Sequence, residues 1–271
     1  MSLTLTYTAA TNVPVEVEGI TPDVLRDKSN AEIEKLPIYH GNREAALGDF
    51  FKVVGDASDE QIIFEGDVAG VHWIGAKMKS GRIHVPGNAG RHVGSEMSGG
   101  EITIDGHAGD WAGGEMQGGL LRVRGDAGHL VGAAYRGSPR GMTGGTILVH
   151  GRAGNEVGLT MRRGLIAVGG GCGDLVAFNM LAGSIFIFGE CGIRPGAEMH
   201  RGTIGLFGEN PPKLLPSFRF ACRFRPPMMP LLGAELRGLG FPIEDRFAAG
   251  EMNLYHGDLV SLGRGEVLLP V

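Results

Sequence analysis

Few residue groups in this chain have the types and spacing that chemistry needs. Cys172 and Cys191 stand 19 residues apart, and thiols brought together could bond or hold a metal. They occupy positions that elsewhere carry Ala89, Ala108, Ala127 and Ala153, so they are expected to be buried small-residue fillers. With Cys222 the chain has three cysteines and no CxxC pair, which supports neither a disulfide framework nor a zinc knuckle. His72 and His92 fall near one corner without carboxylate or cysteine company, so they are read as surface residues. There is no GxSxG, HExxH or Walker loop. Glycine doublets imitate a GxGxxG phosphate loop, but they recur throughout, whereas a phosphate loop occurs once and opens a helix. No catalytic residue and no metal ligand is expected.

The remaining candidates are cationic. Formal charge is −5 overall, yet residues 121–225 hold 13 Lys+Arg against 6 Asp+Glu, leaving 12 against 24 elsewhere. That balance gives no global case for nucleic acid or a membrane surface. The stretch GAAYRGSPRGM places Tyr135, Arg136 and Arg140 on a loop expected to project as a contact surface. Arg162 and Arg163 follow one methionine, and His200 and Arg201 follow another 38 residues on, with Leu181 and Ala182 between. Arg194 and the segment FRFACRFR, with Arg219, Arg223 and Arg225, add positive charge. Such a ladder suits carboxylates, which guanidinium groups bind bidentately.

The elements that must position these residues are repeats. Of 271 residues 48 are glycine, far above the usual share of about 7%. Turn glycines fall at 87, 106, 125, 151, 170, 189 and 208, spaced by 19 except for one step of 26. Met78, Met97, Met116, Met142, Met161, Met180 and Met199 keep the same spacing and form a structural ladder. Before each turn glycine, pairs such as Ile83/Val85 and Ile102/Ile104 alternate with His84 and Thr103, the period-2 signature of a half-buried strand. The reading is an all-β, right-handed, single-stranded parallel β-helix of about eight 19-residue coils with small α/β flanking segments. At a spacing of about 4.8 Å per coil it would be a rod of roughly 35–40 Å.

The expected division is a capping region at 1–61, repeats at 62–210 and an extension at 211–271 that packs on them. Thr21-Pro22 should open a helix through DVLRDKSNAEIEKL, and another short helix is expected near GAELRGLG. The start MSLTLTYTAATN lacks a charged and then apolar leader, and no apolar run reaches the roughly 18 residues of a membrane span. A cytoplasmic location is expected.

The coil motifs GNAG, GHAG, GDAGHLVG and GRAG resemble the GXGXG β-helix shared by the glutamate synthase C-terminal domain and the C-subunit of formylmethanofuran dehydrogenase. The tail YHGDLVSLGRGEVLL is similar to the ending of these C-subunit proteins, most of all those of the formyltransferase/hydrolase complex of methylotrophic bacteria. The resemblance covers most of the chain from about Ile62 onward. It implies a non-catalytic scaffold, with a formyltransferase, an amidohydrolase-type hydrolase and a pterin-subunit homologue as partners. In such a complex a formyl group passes from formyl-tetrahydromethanopterin to a methanofuran-type carrier and is hydrolysed to formate. The basic ladder would then have the polyglutamyl arm of that carrier as a possible contact. The C-subunit of a molybdenum or tungsten dehydrogenase, or a glutamate-synthase-type spacer, stays open as the alternative.

Overall fold

The computed structural model describes residues 2–271. One four-residue strand per repeat unit forms at Arg82–Val85, Glu101–Ile104, Leu120–Val123, Thr146–Val149, Leu165–Val168 and Ser184–Ile187. They pair in parallel without slippage, so Ile83, Ile102, Leu121, Ile147, Ile166, Ile185 and Ile204 form one file. A one-residue slip would turn each apolar side chain outward. Beyond the strands, a second line of single bridges joins Ala89, Ala108 and Ala127, then Ala153, Cys172 and Cys191.

The flanks extend the same sheet to 13 strands. Leu3–Tyr7 pairs in parallel with Gln61–Glu65 and antiparallel with Phe51–Val54 at one end. At the other end Arg264–Pro270 lies parallel to Arg201–Leu206, followed by antiparallel Met252–Gly257 and Arg219–Phe224. A second sheet of four short strands gathers Arg43–Ala46, Pro37–His40, Val15–Glu16 and Val71–His72. The expected 22–36 helix is instead two single turns, Pro22–Leu25 and Asn30–Ile33. Ser29 restarts the second, its N–H donating to Glu32 Oε2 at 2.8 Å, a helix-opening contact in mid-segment.

The seven methionines of the ladder are fully buried. Each reaches forward to a neighbouring unit, and Met116 and Gly145 show why. A Cβ on Gly145 would lie 2.8 Å from Met116 Cε and 2.8 Å from Gly119 O, and its φ is +86°. An unbranched thioether spans one layer of the stack, and glycine alone fits beneath its methyl. Gly106 answers to a different constraint: a Cβ there would stand 2.8 Å from the Gly87 carbonyl group. Close approach of successive turns accounts for the glycine that local propensity would reject.

The outward side of the sheet changes character along the stack. His84, Thr103 and Arg122 are partly exposed, whereas Leu148, Ala167 and Phe186 are buried. The tail covers the latter. The helix Met228–Gly238, which begins five residues earlier than GAELRGLG, brings Met229 and Leu236 onto them, joined by Phe241 and Phe247. Arg122 latches this cover by donating to Leu239 O at 3.0 Å and to Glu101 Oε1 at 2.7 Å.

Candidate functional site

The 26-residue unit and the corner beside it form the most differentiated surface. At that corner the chain turns through left-handed backbone at Trp73, His92, Trp111, Leu130, Glu156, Leu175 and Arg194, with φ between +57° and +65°. Such conformations cost of order 1–2 kcal/mol in non-glycine residues. They are offset here by bonds between units, for example Trp73 N to Arg91 O and His92 N to Asp110 O, both at 2.9 Å. Equivalent side chains therefore stack. The rings of Trp73 and His92 lie 4.0 Å apart at 3°, and those of His92 and Trp111 lie 5.3 Å apart at 11°.

His92 is thus no plain surface residue. Burial, then the charges of His72 and Arg91, pushes its pKa down to about 4, so it is a neutral aromatic at pH 7. Tyr135, expected to project, folds back against this stack, 5.6 Å from the His92 ring and 6.1 Å from Trp73. Its hydroxyl pKa is raised, chiefly by burial. Its backbone N–H is held by Glu115 Oε1 at 2.9 Å, and Ser138 N closes a turn on Tyr135 O at 3.0 Å. The inserted residues themselves therefore build a fixed corner, with Arg136 and Arg140 exposed on it.

Next to this corner lies a cleft of about 390 Å³ lined by Asp110, Trp111, His129, Leu130, Arg136 and Glu156, among others. Two of its polar groups, Asp110 and His129, are already engaged. Asp110 Oδ1 accepts from His129 N at 2.9 Å, and His129 Nδ1 accepts from Asn155 N at 2.9 Å. The cleft offers an aromatic edge, an exposed guanidinium and a carboxylate, a set suited to recognising a partner surface. Among the described residues no three His, Cys, Asp or Glu side chains group as metal ligands.

On another corner Arg162, Arg163 and Arg201 are exposed and His200 is half-buried. Arg162, Leu181 and His200 stack through bonds to Met142 O, Met161 O and Met180 O, each at 2.8 Å. Arg201 is in register with Arg264 of the last strand, so the ladder continues into a residue that spacing did not reveal. Arg264 sits 63 positions after Arg201, outside the 19-residue rhythm, and its only trace was the GRGE tail. Among the described residues no carboxylate lies within 4.0 Å of any of these four arginines or of Arg194. Cys172 is buried, and hydrogen bonding with it, followed by burial, raises the Cys191 thiol pKa. A raised pKa leaves the Cys191 thiol unactivated.

No protein-family model matches the chain. Over 85 residues it is 45% identical to the C-subunit of tungsten-containing formylmethanofuran dehydrogenase 2 from Methanothermobacter thermautotrophicus, covering 30% of this chain and 32% of that one. Over 79 residues it is 38% identical to the C-subunit of the formyltransferase/hydrolase complex Fhc of Methylorubrum extorquens, covering 29% of each. These alignments span about a third of the curated relatives' length. A solved structure, the formyltransferase/hydrolase complex FhcABCD of Methylorubrum extorquens with methylofuran, holds a chain that matches throughout. The TM-score is 0.90 at 34% identity, over 99% of both chains. The chain belongs to the C-subunit family of formyltransferase/hydrolase complexes and formylmethanofuran dehydrogenases. Among the described residues no helix is long and apolar enough to cross a membrane.

Proposed function

We propose that this chain is the non-catalytic C-subunit of a formyltransferase/hydrolase complex. It folds as a right-handed single-stranded parallel β-helix that holds the other components in place. The observation that carries this reading is the end-to-end match to one chain of the four-component complex from Methylorubrum extorquens. The partners are a formyltransferase, an amidohydrolase-type hydrolase and a pterin-subunit homologue. Together they pass a formyl group from formyl-tetrahydromethanopterin to a methanofuran-type carrier and hydrolyse it to formate. Consistent with a scaffold, the acceptor atoms of Asp110 and His129 in the cleft already bind backbone N–H groups of neighbouring units. The inserted corner around Tyr135, Arg136 and Arg140 is a docking surface for one of these partners.

The unpaired ladder of Arg162, Arg163, His200 and Arg201 receives the polyglutamyl arm of the carrier. Exposed pairs contribute about 0.2–1 kcal/mol each, so several together give retention that salt weakens. The test is native purification of the tagged chain with mass spectrometry of what co-elutes. A formyltransferase and an amidohydrolase in fixed stoichiometry support the reading, and a chain that elutes alone sinks it. Double reversal by Arg162→Glu and Arg163→Glu should cut carrier retention by roughly tenfold at low salt. Unchanged retention removes the arm contact. The dehydrogenase relatives favour a second reading, the C-subunit of a molybdenum or tungsten enzyme, which co-elution of molybdopterin and iron–sulfur chains would select.

A further inference from the structure

The turn joining Met252–Gly257 to Arg264–Pro270 ends in a small apolar tip. Leu259, Val260 and Leu262 are 53%, 85% and 46% exposed, on a loop whose position at the end of the stack would ordinarily favour polar residues. The tip is built to hold one shape. Asp258 lies beneath it, 4% exposed, and its Oδ1 accepts from Val260 N at 3.0 Å. Its other oxygen accepts from Glu198 N at 3.0 Å, which ties the tip to the last repeat unit. The Asp258 carbonyl accepts from Ser261 N at 3.0 Å and Gly263 N at 2.9 Å, and Leu259 N donates to Ser217 O at 3.1 Å. A preorganised loop loses little freedom on docking.

Cations surround the tip. Arg219 pairs across the strand with His256 on one side, and Arg201 and Arg264 stand in register on the other. Among the described residues none of these three arginines has a carboxylate within 4.0 Å. Two guanidinium side chains opposite each other on neighbouring parallel strands about 4.8 Å apart repel, and a counter-charge from outside would relieve that. The carboxylates nearby are few: Asp258 is buried and bonded to backbone N–H groups, Glu198 is exposed at the rim, and Glu266 accepts from Thr203 Oγ1 at 3.0 Å. Three aliphatic side chains without an aromatic make a poor anchor for a lipid surface, whereas a small fixed apolar centre inside a charged ring is how protein contacts are arranged.

We infer that the Leu259–Leu262 tip is a plug that seats in an apolar socket rimmed by carboxylates on a companion protein of the complex. The inference rests on the functional reading given above and adds to it the surface and the chemistry of the partner. The experiment compares wild-type chain, Val260→Asp and Arg264→Glu, each co-expressed with the companion proteins, by native mass spectrometry and by dissociation constant. Val260 is exposed, so its substitution leaves folding intact, checked by an unchanged melting temperature of the chain alone. Both variants should weaken association with one companion by at least about tenfold. A wild-type complex that either variant reproduces at full affinity overturns the plug. So does a wild-type dimer of this chain that Val260→Asp splits, or wild-type binding to anionic phosphatidylserine vesicles that it abolishes. A wild-type chain that retains no companion at all refutes the scaffold reading itself.

Discussion

Replacing Asp258 by Asn tests how the stack is closed. Within the repeats, residues of one left-handed column donate forward: Glu96 N bonds to Gly114 O at 2.8 Å, and Asn179 N bonds to Ala197 O at 2.8 Å. Glu198 is the member of that column whose next layer is the tail, and the Asp258 carboxylate replaces the missing carbonyl. It also accepts from Val260 N. An Asn keeps one acceptor and turns an amide N–H₂ toward the other donor. A hydrogen bond to a charged group is worth about 1.5–3 kcal/mol, and a buried donor left unpaired costs about 1–3 kcal/mol. The loss at pH 7 should therefore be about 2–4 kcal/mol, or roughly 4–12 °C in Tm for a chain of this size. Burial alone would raise the Asp258 pKa, but hydrogen bonds from Ser217, Val260 and Glu198 outweigh it and hold the value below normal. A depressed folded pKa gives stability that is complete above the unfolded value of about 3.9 and disappears as pH falls through the folded one. Thermal melts from pH 7 to 3 should show a constant gap between wild type and variant down to about pH 5, closing below about pH 4. A gap that stays flat to pH 3, or none at pH 7, refutes the account.

Two stability predictions follow from packing. Met116→Ala should cost about 2–5 kcal/mol in urea unfolding, while Met116→Leu should cost less than about 1.5 kcal/mol; equal losses would mean that the forward reach of the thioether is irrelevant. Gly145→Ala should destabilise by at least about 1–2 kcal/mol from backbone conformation alone, and unfolding that does not change would contradict the crowding beneath Met116. Arg122→Ala should free the tail cover, raising hydrogen exchange across 228–249 while the Glu101–Ile104 strand stays protected. Exchange rising equally in both would show Arg122 to be a general stabiliser and no latch.

The large, mainly parallel sheet was legible because a stacked repeat writes its register into spacing. Residues 19 apart, such as Ile83 and Ile102, are Cα partners, and the single step of 26 preserves register, since Leu121 still meets Ile147. The tail cover had a signal that the period-2 reading passed over. The polar member of each strand, His84, Thr103 or Arg122, gives way to Leu148, Ala167 and Phe186, so those strands needed a lid on their second face. Tyr135 and His92 are half-buried where loop position and residue type suggested full exposure. Their partial burial comes from ring stacking between layers, which depends on the left-handed column. Arg264 and Asp258 were beyond reach, since they stand in a segment without the repeat, 63 and 60 positions from their partners Arg201 and Glu198.

The corners also show why proximity of catalytic residue types is a poor guide in this architecture. Asn88, His107 and Asp126 form one file, and each side chain accepts the backbone N–H of the residue above it: Asn88 Oδ1 from His107 at 2.8 Å, His107 Nδ1 from Asp126 at 2.9 Å, and Asp126 Oδ1 from Arg152 at 2.7 Å. Asp110, His129, Asn155 and Asp174 repeat the pattern on the next corner, ending on Ile193 N at 2.9 Å. A His between an acid and an amide at hydrogen-bond distance looks like part of a relay. Here its δ nitrogen is taken up by a backbone N–H of the next layer and serves the stack. Asp, Asn and His recur because each places one acceptor at the same height, and a turn that cannot bond within its own layer needs that acceptor from the layer below. A partner must accordingly be read from what this lattice leaves over: unpaired arginines, an inserted corner and an apolar tip.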